Sequence, residues 1–238
     1  MNTFSSFIIR IHEYIRSTAK KRDGVRTQSL NTKQETSKEY RRMPHVALPV
    51  PDILSGTLTD SLRQTTLINS NSITLPLSQS KLGTLLGNAF GATGTPLRHY
   101  PSLGGLYPIE TYLVGNVLEG QPRGIFHYNP NMHALEFLWE IPANFQMSNV
   151  INIANLPSTS IFIAFTSLWD RSSKIHGDLS YSEAHIEVGH LSQNIMLVAT
   201  SLGIRAQTIS DFDDSVLSEL LDIDTHLEQP IHSILLGS

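Results

Sequence analysis

One stretch constrains this chain more than any other: SEAHIEVGHLSQNIMLVATSLG, residues 182–203. Its spacing predicts the longest helix of the protein, closed by Gly203 in the manner of a C-cap. In its second half, apolar or small residues face nearly every direction, so the helix has to run through the interior. The flanking segments supply what would wrap it. IETYLVGNV (109–117) alternates, and GIFHYNPNMHALEFL (124–138) reads as a hairpin turning at Asn-Pro-Asn. SIFIAFTSL (160–168) is a continuous apolar strand, and PIHSILLG (230–237) a last one, with a short helix in DDSVLSELLDID (213–224). The sum is an α+β fold, a central, mostly antiparallel sheet flanked by helices.

Upstream of the strands the chain is built differently. Residues 1–21 predict an amphipathic helix with Phe4, Phe7, Ile8, Ile11 and Ile15 on one face. Arg10, His12 and Glu13 interrupt its apolar run, so it does not read as a secretory signal. No segment approaches the roughly 18–20 apolar residues of a membrane span, and we expect a cytoplasmic protein. A polar, extended arm follows, ending in a proline-punctuated turn at 44–51, then a short helix at 53–63. Ser78 is placed to cap a helix over 81–90, which Gly91 stops. The first 42 residues carry ten basic and four acidic side chains, against seven and seventeen in the remainder. The head is thus about +6 and the body about −10. Such a head lies on an acidic body, its own or a partner's, or docks an acidic partner. The overall charge of −4 argues against nucleic acid. With no cysteine, disulfides, thiolate nucleophiles and zinc–thiolate sites are excluded, and the ten histidines show no metal-ligand spacing.

The chemistry concentrates in HYPSLGGLYPIETYLVG, residues 99–115, an almost uncharged loop with paired glycines before a strand. A glycine pair beside proline is an ordinary tight turn, and it is also what lets backbone approach a flat or anionic group. Two other segments favour the second use. Arg63-Gln64-Thr65-Thr66 offers a cation and hydroxyls suited to phosphate. The central helix carries Glu187, Gly189, His190, Gln193 and Asn194, polar groups on a buried element that need partners.

The string HYPSLGGLYPIETYLVGNVLEGQPRGIFHYNPNMHALEFL resembles the SagB/McbC-type dehydrogenases, a branch of the FMN-dependent nitroreductase superfamily. YSEAHIEVGHLSQNIMLVATSLGIRAQTISDFDDSVLSELLDID resembles a second block of that family, and the likeness extends over about residues 40–237. It implies a nitroreductase-like fold at 46–238 holding FMN, preceded by the helical and extended basic arm of 1–45. It further implies a homodimer, or a heterodimer with a paralogue, with the cofactor at the subunit interface. Arg63 and Thr65 would serve the phosphate, Pro101, Ser102, Gly104 and Gly105 the flavin ring, and Gln193 and Asn194 the cofactor from the central helix. Family members oxidise azolines to azoles in ribosomally made peptides, beside a cyclodehydratase. No nucleic acid and no membrane enter.

The chain departs from the family pattern at three places. Where the family has RRSxR, it reads Arg63-Gln64-Thr65-Thr66-Leu67, and Leu103 replaces the first loop glycine. Where the family has a Lys-Tyr pair before the central helix, it has Ile175-His176, with Lys174 one residue earlier. His176 titrates near neutrality and is the candidate base, with Lys174 as the second candidate. His190 is read as structural, Tyr107 and Tyr128 as packing residues, and His127 as a strand residue. Two other readings stay open: a family member without flavin acting as a scaffold subunit, and a nitro or quinone reductase of the same fold.

Overall fold

The computed structural model describes residues 3–20, 36–63, 76–91, 98–151 and 161–237. Its helices are α1 (Thr3–Lys20), α2 (Leu58–Arg63), α3 (Gln79–Phe90), α4 (Asp170–His176), α5 (Leu179–Ser201) and α6 (Asp214–Leu220). Its strands are β1 (His45–Ala47), β2 (Ile109–Gly115), β3 (Gly124–Asn129), β4 (Ala134–Glu140), β5 (Ile161–Leu168), β6 (Arg205–Ile209) and β7 (Glu228–Gly237). They form one antiparallel sheet in the order β1-β4-β3-β2-β5-β7-β6.

Both faces of the sheet are covered, which explains why β5 reads as a continuous apolar run. On one face Ile109, Leu113, Ile163, Phe165 and Ile234 pack under α3 and α5. On the other, Tyr112, Val114, Phe162 and Ala164 meet Leu217 and Leu221 around α6. The β3–β4 turn is closed by the Asn129 side chain, whose oxygen accepts from the Asn131 and Met132 amides at 3.1 and 3.2 Å. Pro230 has no N–H for the ladder, and the β5–β7 register shifts where it enters.

The cap at α3 follows expectation. Ser78 accepts from the Lys81 amide at 3.3 Å, and Gly91 ends the helix at φ +76°. Elsewhere the boundaries move. The helix expected at 53–63 is only Leu58–Arg63, because Thr57 Oγ1 accepts from the Asp60 amide (3.1 Å) and starts it there. The central helix begins at Leu179, ahead of the expected 182. Three elements escaped the sequence reading. β1 lies within the expected proline turn and pairs with β4. β6 is a short edge strand with an irregular in–out pattern. α4 occupies what read as a loop before the central helix. α1 forms as expected and touches α5, yet Phe7, Ile8 and Ile11 remain exposed on it.

Candidate functional site

The glycine loop crosses in front of β2 with an unusual backbone. Gly104 and Gly105 both take left-handed conformations, φ +68° and +67°, and Tyr107 follows at φ +49°. Two bonds from Ser102 hold this shape: its carbonyl accepts from the Gly105 amide (3.1 Å) and its hydroxyl from the Tyr107 amide (2.9 Å). Pro101 and both glycines stay exposed, Ser102 is half-buried, and a Cβ built on Gly105 would meet nothing within 4 Å. The loop therefore presents bare backbone on its open side.

On its inner side stands His176, from the end of α4. A Cβ on Gly104 would come within 3.2 Å of His176 Nε2, an atom that is buried and has no hydrogen-bond partner among the described residues. Burial pushes the imidazole below its ordinary value, while the nearby Glu183 pulls weakly the other way. A neutral ring with an open nitrogen is a competent proton acceptor. Four of the six buried side-chain atoms lacking a partner among the described residues belong to α4 and α5: Ser172 Oγ, His176 Nε2, Ser180 Oγ and Glu187 Oε1. Each such buried polar atom calls for a partner.

A side chain at Gly104 tests the loop directly. Gly104→Ala and Gly105→Ala both force a left-handed alanine, each costing about 1 kcal/mol, a few degrees in a thermal melt. Only Gly104→Ala should also shift the His176 ring resonances by NMR, because only there does the methyl press on Nε2.

The other candidates are distributed unevenly. Lys174 lies on the exposed side of α4 with Nζ 2.9 Å from the Asp170 carboxylate. Asn194 donates to the Ala89 and His99 carbonyls at 3.2 and 3.0 Å, tying α5 to the end of α3 and the start of the loop. Gln193 and His190 are exposed on α5, and Arg63 is exposed at the end of α2; Thr65 lies outside the described residues. Tyr107 and Tyr128 are buried packing residues.

Behind the loop lies a network the sequence reading missed. Arg171 donates to the Tyr107 carbonyl and to Glu110, both at 2.6 Å. Glu110 in turn bonds His127 Nε2 (2.8 Å), and His127 Nδ1 bonds Glu136 (2.7 Å). All four are buried. Burial opposes every charge here, but Arg171 and His127 hold Glu110 down at about 2, and the two carboxylates raise His127. The available signal was a charged or titratable residue set among mostly apolar neighbours in each strand: Glu110 in IETYLVG, His127 in GIFHYN, Glu136 in ALEFLWE. Among the described residues no group of three or more His, Asp or Glu side chains is arranged to hold a metal ion.

Comparison with known proteins bears on what such a site serves. The model of the nitroreductase family matches residues 74–238, more than half of the chain. The chain belongs to the nitroreductase family. Among curated nitroreductase relatives, a Methanocaldococcus jannaschii protein named as a nitroreductase is 28 % identical over 182 residues, covering 74 % of this chain and 89 % of that protein. The trifolitoxin-processing protein TfxB of Rhizobium leguminosarum bv. trifolii is 27 % identical over 68 % of this chain. The microcin B17-processing protein McbC of Escherichia coli is 26 % identical over 65 %. These matches span only 45 % and 60 % of the two processing proteins. Both support the SagB/McbC-type branch of the family. The nitroreductase fold is shared with a Ralstonia eutropha crystal structure (TM-score 0.69, 22 % identity, 85 % of this chain and 96 % of that one). It is shared also with a chain of the E. coli microcin synthetase McbBCD complex bound to truncated pro-MccB17 (TM-score 0.63, 22 % identity, 84 % and 78 %). Among the described residues, no helix is long and apolar enough to cross a membrane.

Proposed function

We propose that this chain is an FMN-dependent dehydrogenase that oxidises azoline rings to azoles in a ribosomally made peptide. The observation that carries this reading is the exposed left-handed pair Gly104–Gly105 set over the buried, unpartnered Nε2 of His176. Peptide-processing relatives, TfxB and McbC, point to the same substrate class.

The residues present fit a flavin at its ring end. Bare backbone at Gly105 accommodates a flat ring, and the unsatisfied atoms on α4 and α5 await hydrogen bonds. Pro101 and Ser102 would border the ring, and Gln193 would reach it from the open face of α5. Arg63 and Thr65 would hold the phosphate. The base of α2 is anchored elsewhere: Gly56 lies against Ser201, about 21 Å along α5 from Glu187 at 1.5 Å per residue. That spread favours a site completed across two subunits, either two copies or this chain and a paralogue. The exposed strip Ile186, Gly189, His190 and Gln193 on α5 is the surface available for it.

Oxidising the azoline removes one proton and one hydride from the ring. Bound FMN supplies the two-electron acceptor. His176, neutral through burial, accepts the proton at Nε2. The glycine loop admits the ring without a side chain in the way. The basic head would dock a cyclodehydratase partner in the cytoplasm, where the peptide is made.

A second reading has specific support. The Asn194 amide is already spent on two carbonyls, and Ile175-His176 stands where the family has its Lys-Tyr pair. On that reading the chain is a scaffold subunit without flavin. The visible absorption spectrum, recorded before and after excess FMN and desalting, separates the two. A retained yellow flavin band supports the dehydrogenase; a colourless protein supports the scaffold.

A further inference from the structure

The segment Thr36–Tyr40 lies extended over the sheet face that carries α6, with Tyr40 packed among its apolar residues. Lys38 and Tyr40 are half-buried against the sheet, and Glu39 between them is exposed, as an extended chain alternates. Its backbone docks on buried carboxylates: the Lys38 amide donates to Glu110 Oε1 (2.8 Å) and the Tyr40 amide to Glu136 Oε1 (3.2 Å). Lys38 Nζ reaches Glu228 Oε2 (2.6 Å) and the Tyr112 hydroxyl (2.9 Å). The other Glu228 oxygen accepts from Tyr112 and Thr166, at 2.9 and 2.5 Å. Glu228 is buried, and among the described residues Lys38 is the cation paired with it, so without Lys38 a buried charge stands uncompensated. Burial draws the ammonium down, but Glu228 and Tyr40 together outweigh it and hold Lys38 above its ordinary value.

Two routes lead from this segment to the glycine loop, and both end at Tyr107. Arg98 donates to the Thr36 carbonyl and to the Tyr100 hydroxyl (2.6 Å). Its guanidinium also lies 4.5 Å from the centre of the Tyr107 ring, and its amide donates to the Tyr107 hydroxyl (3.1 Å). On the second route, Glu110 Oε1 accepts from both the Lys38 amide and Arg171, and Arg171 holds the Tyr107 carbonyl. Tyr107 is the residue that most needs holding. Its φ of +49° is disfavoured for a residue with a side chain, and persists only where neighbours over-determine it. Its amide is also the donor to Ser102 Oγ that closes the loop around Gly104–Gly105. We infer that Lys38 is a positioning residue of the glycine-loop site: its pairing with Glu228 seats Thr36–Tyr40 as a strap, and the strap fixes Tyr107 and with it the glycine pair. This role rests on the reading of the loop as a ligand site.

The test compares full-length wild type, Lys38→Met, Lys38→Arg, and Lys38→Met combined with Glu228→Gln. Hydrogen exchange at the Tyr107 amide, corrected for intrinsic rate, reads the loop without any cofactor. The Ile204 and Leu217 amides, bonded to the Ala199 and Asp213 carbonyls, report the rest of the fold. Lys38→Met should lose about 5–10-fold of the protection at Tyr107, the worth of roughly one net hydrogen bond. Lys38→Arg should restore most of it, because a cation again faces Glu228. The double variant removes both charges and leaves no lone buried carboxylate. Its urea midpoint and its Ile204 and Leu217 protection should return toward wild type, while Tyr107 protection stays low. That split separates positioning from mere support of the fold. FMN should bind the double variant about 5–10-fold more weakly than wild type. Tyr107 protection in the double variant equal to wild type, or lost equally at all three amides, overturns the proposal. So does unchanged FMN affinity in a variant whose loop has loosened. If none of the four proteins binds FMN while the exchange pattern is as expected, the flavin reading fails and the strap's hold on the loop stands.

Discussion

His176→Ala is expected to lower the turnover of the FMN-loaded protein on an azoline peptide by about 10²–10⁴-fold, with FMN still bound. The magnitude is that of a general base removed from a site otherwise intact. FMN should be retained, since the bare backbone at Gly105 is unchanged. The pH profile gives a second check. A base works only when neutral, and burial holds His176 below 6.5. Turnover in the wild type should therefore be on its plateau at neutral pH and fall on an acidic limb below that value. His176→Gln should abolish that limb along with the rate. An equal loss in Lys174→Ala, with His176→Ala nearly silent, would transfer the role to the lysine despite its pairing with Asp170 at the surface.

The proximity of His176 to Gly104 marks where sequence reasoning reached its end. Both residues were legible as candidates, one as an unusual substitution before the central helix, the other as half of a glycine pair. That they touch was not, because contact depends on α4, a helix too short and too polar to stand out: DRSSKIH has little apolar periodicity to detect. The elements read correctly are those whose signals are local. Ser78 and Gly91 bound α3, alternation marks β2, and apolar residues on nearly all sides mark α5. β1 and β6 were missed because each is specified mainly by the strand it joins, β4 and β7. The Glu110–His127–Glu136 row was missed for a related reason. Each residue is a titratable group among mostly apolar neighbours in its own strand, and only the register Tyr112–His127 and His127–Glu136 brings the three onto one face.

That row carries the second large effect. Arg171→Met is expected to destabilise the protein by about 3–5 kcal/mol, seen as a lower urea midpoint at unchanged slope. The reason is charge balance. Two carboxylates, Glu110 and Glu136, face two cations, His127 and Arg171, all within hydrogen-bond reach and away from water. Removing one cation leaves a net buried negative charge. The pH dependence has a definite sign. Glu110 falls from 4.5 to about 2 on folding, so its contribution, on the order of 3 kcal/mol, is complete above 4.5 and is lost as the pH falls through 2. His127 is raised, so its contribution is complete below 6.5 and is lost as the pH climbs through its folded value. The difference between wild type and Arg171→Met should accordingly be widest between those two limits and shrink in stronger acid, where Glu110 protonates in both. Arg171 also holds the Tyr107 carbonyl, so the same substitution should loosen the loop, exposing the Tyr107 amide to exchange. A variant as stable as wild type across that window would mean that the carboxylates are protonated in the folded state, and that the row is a chain of neutral hydrogen bonds.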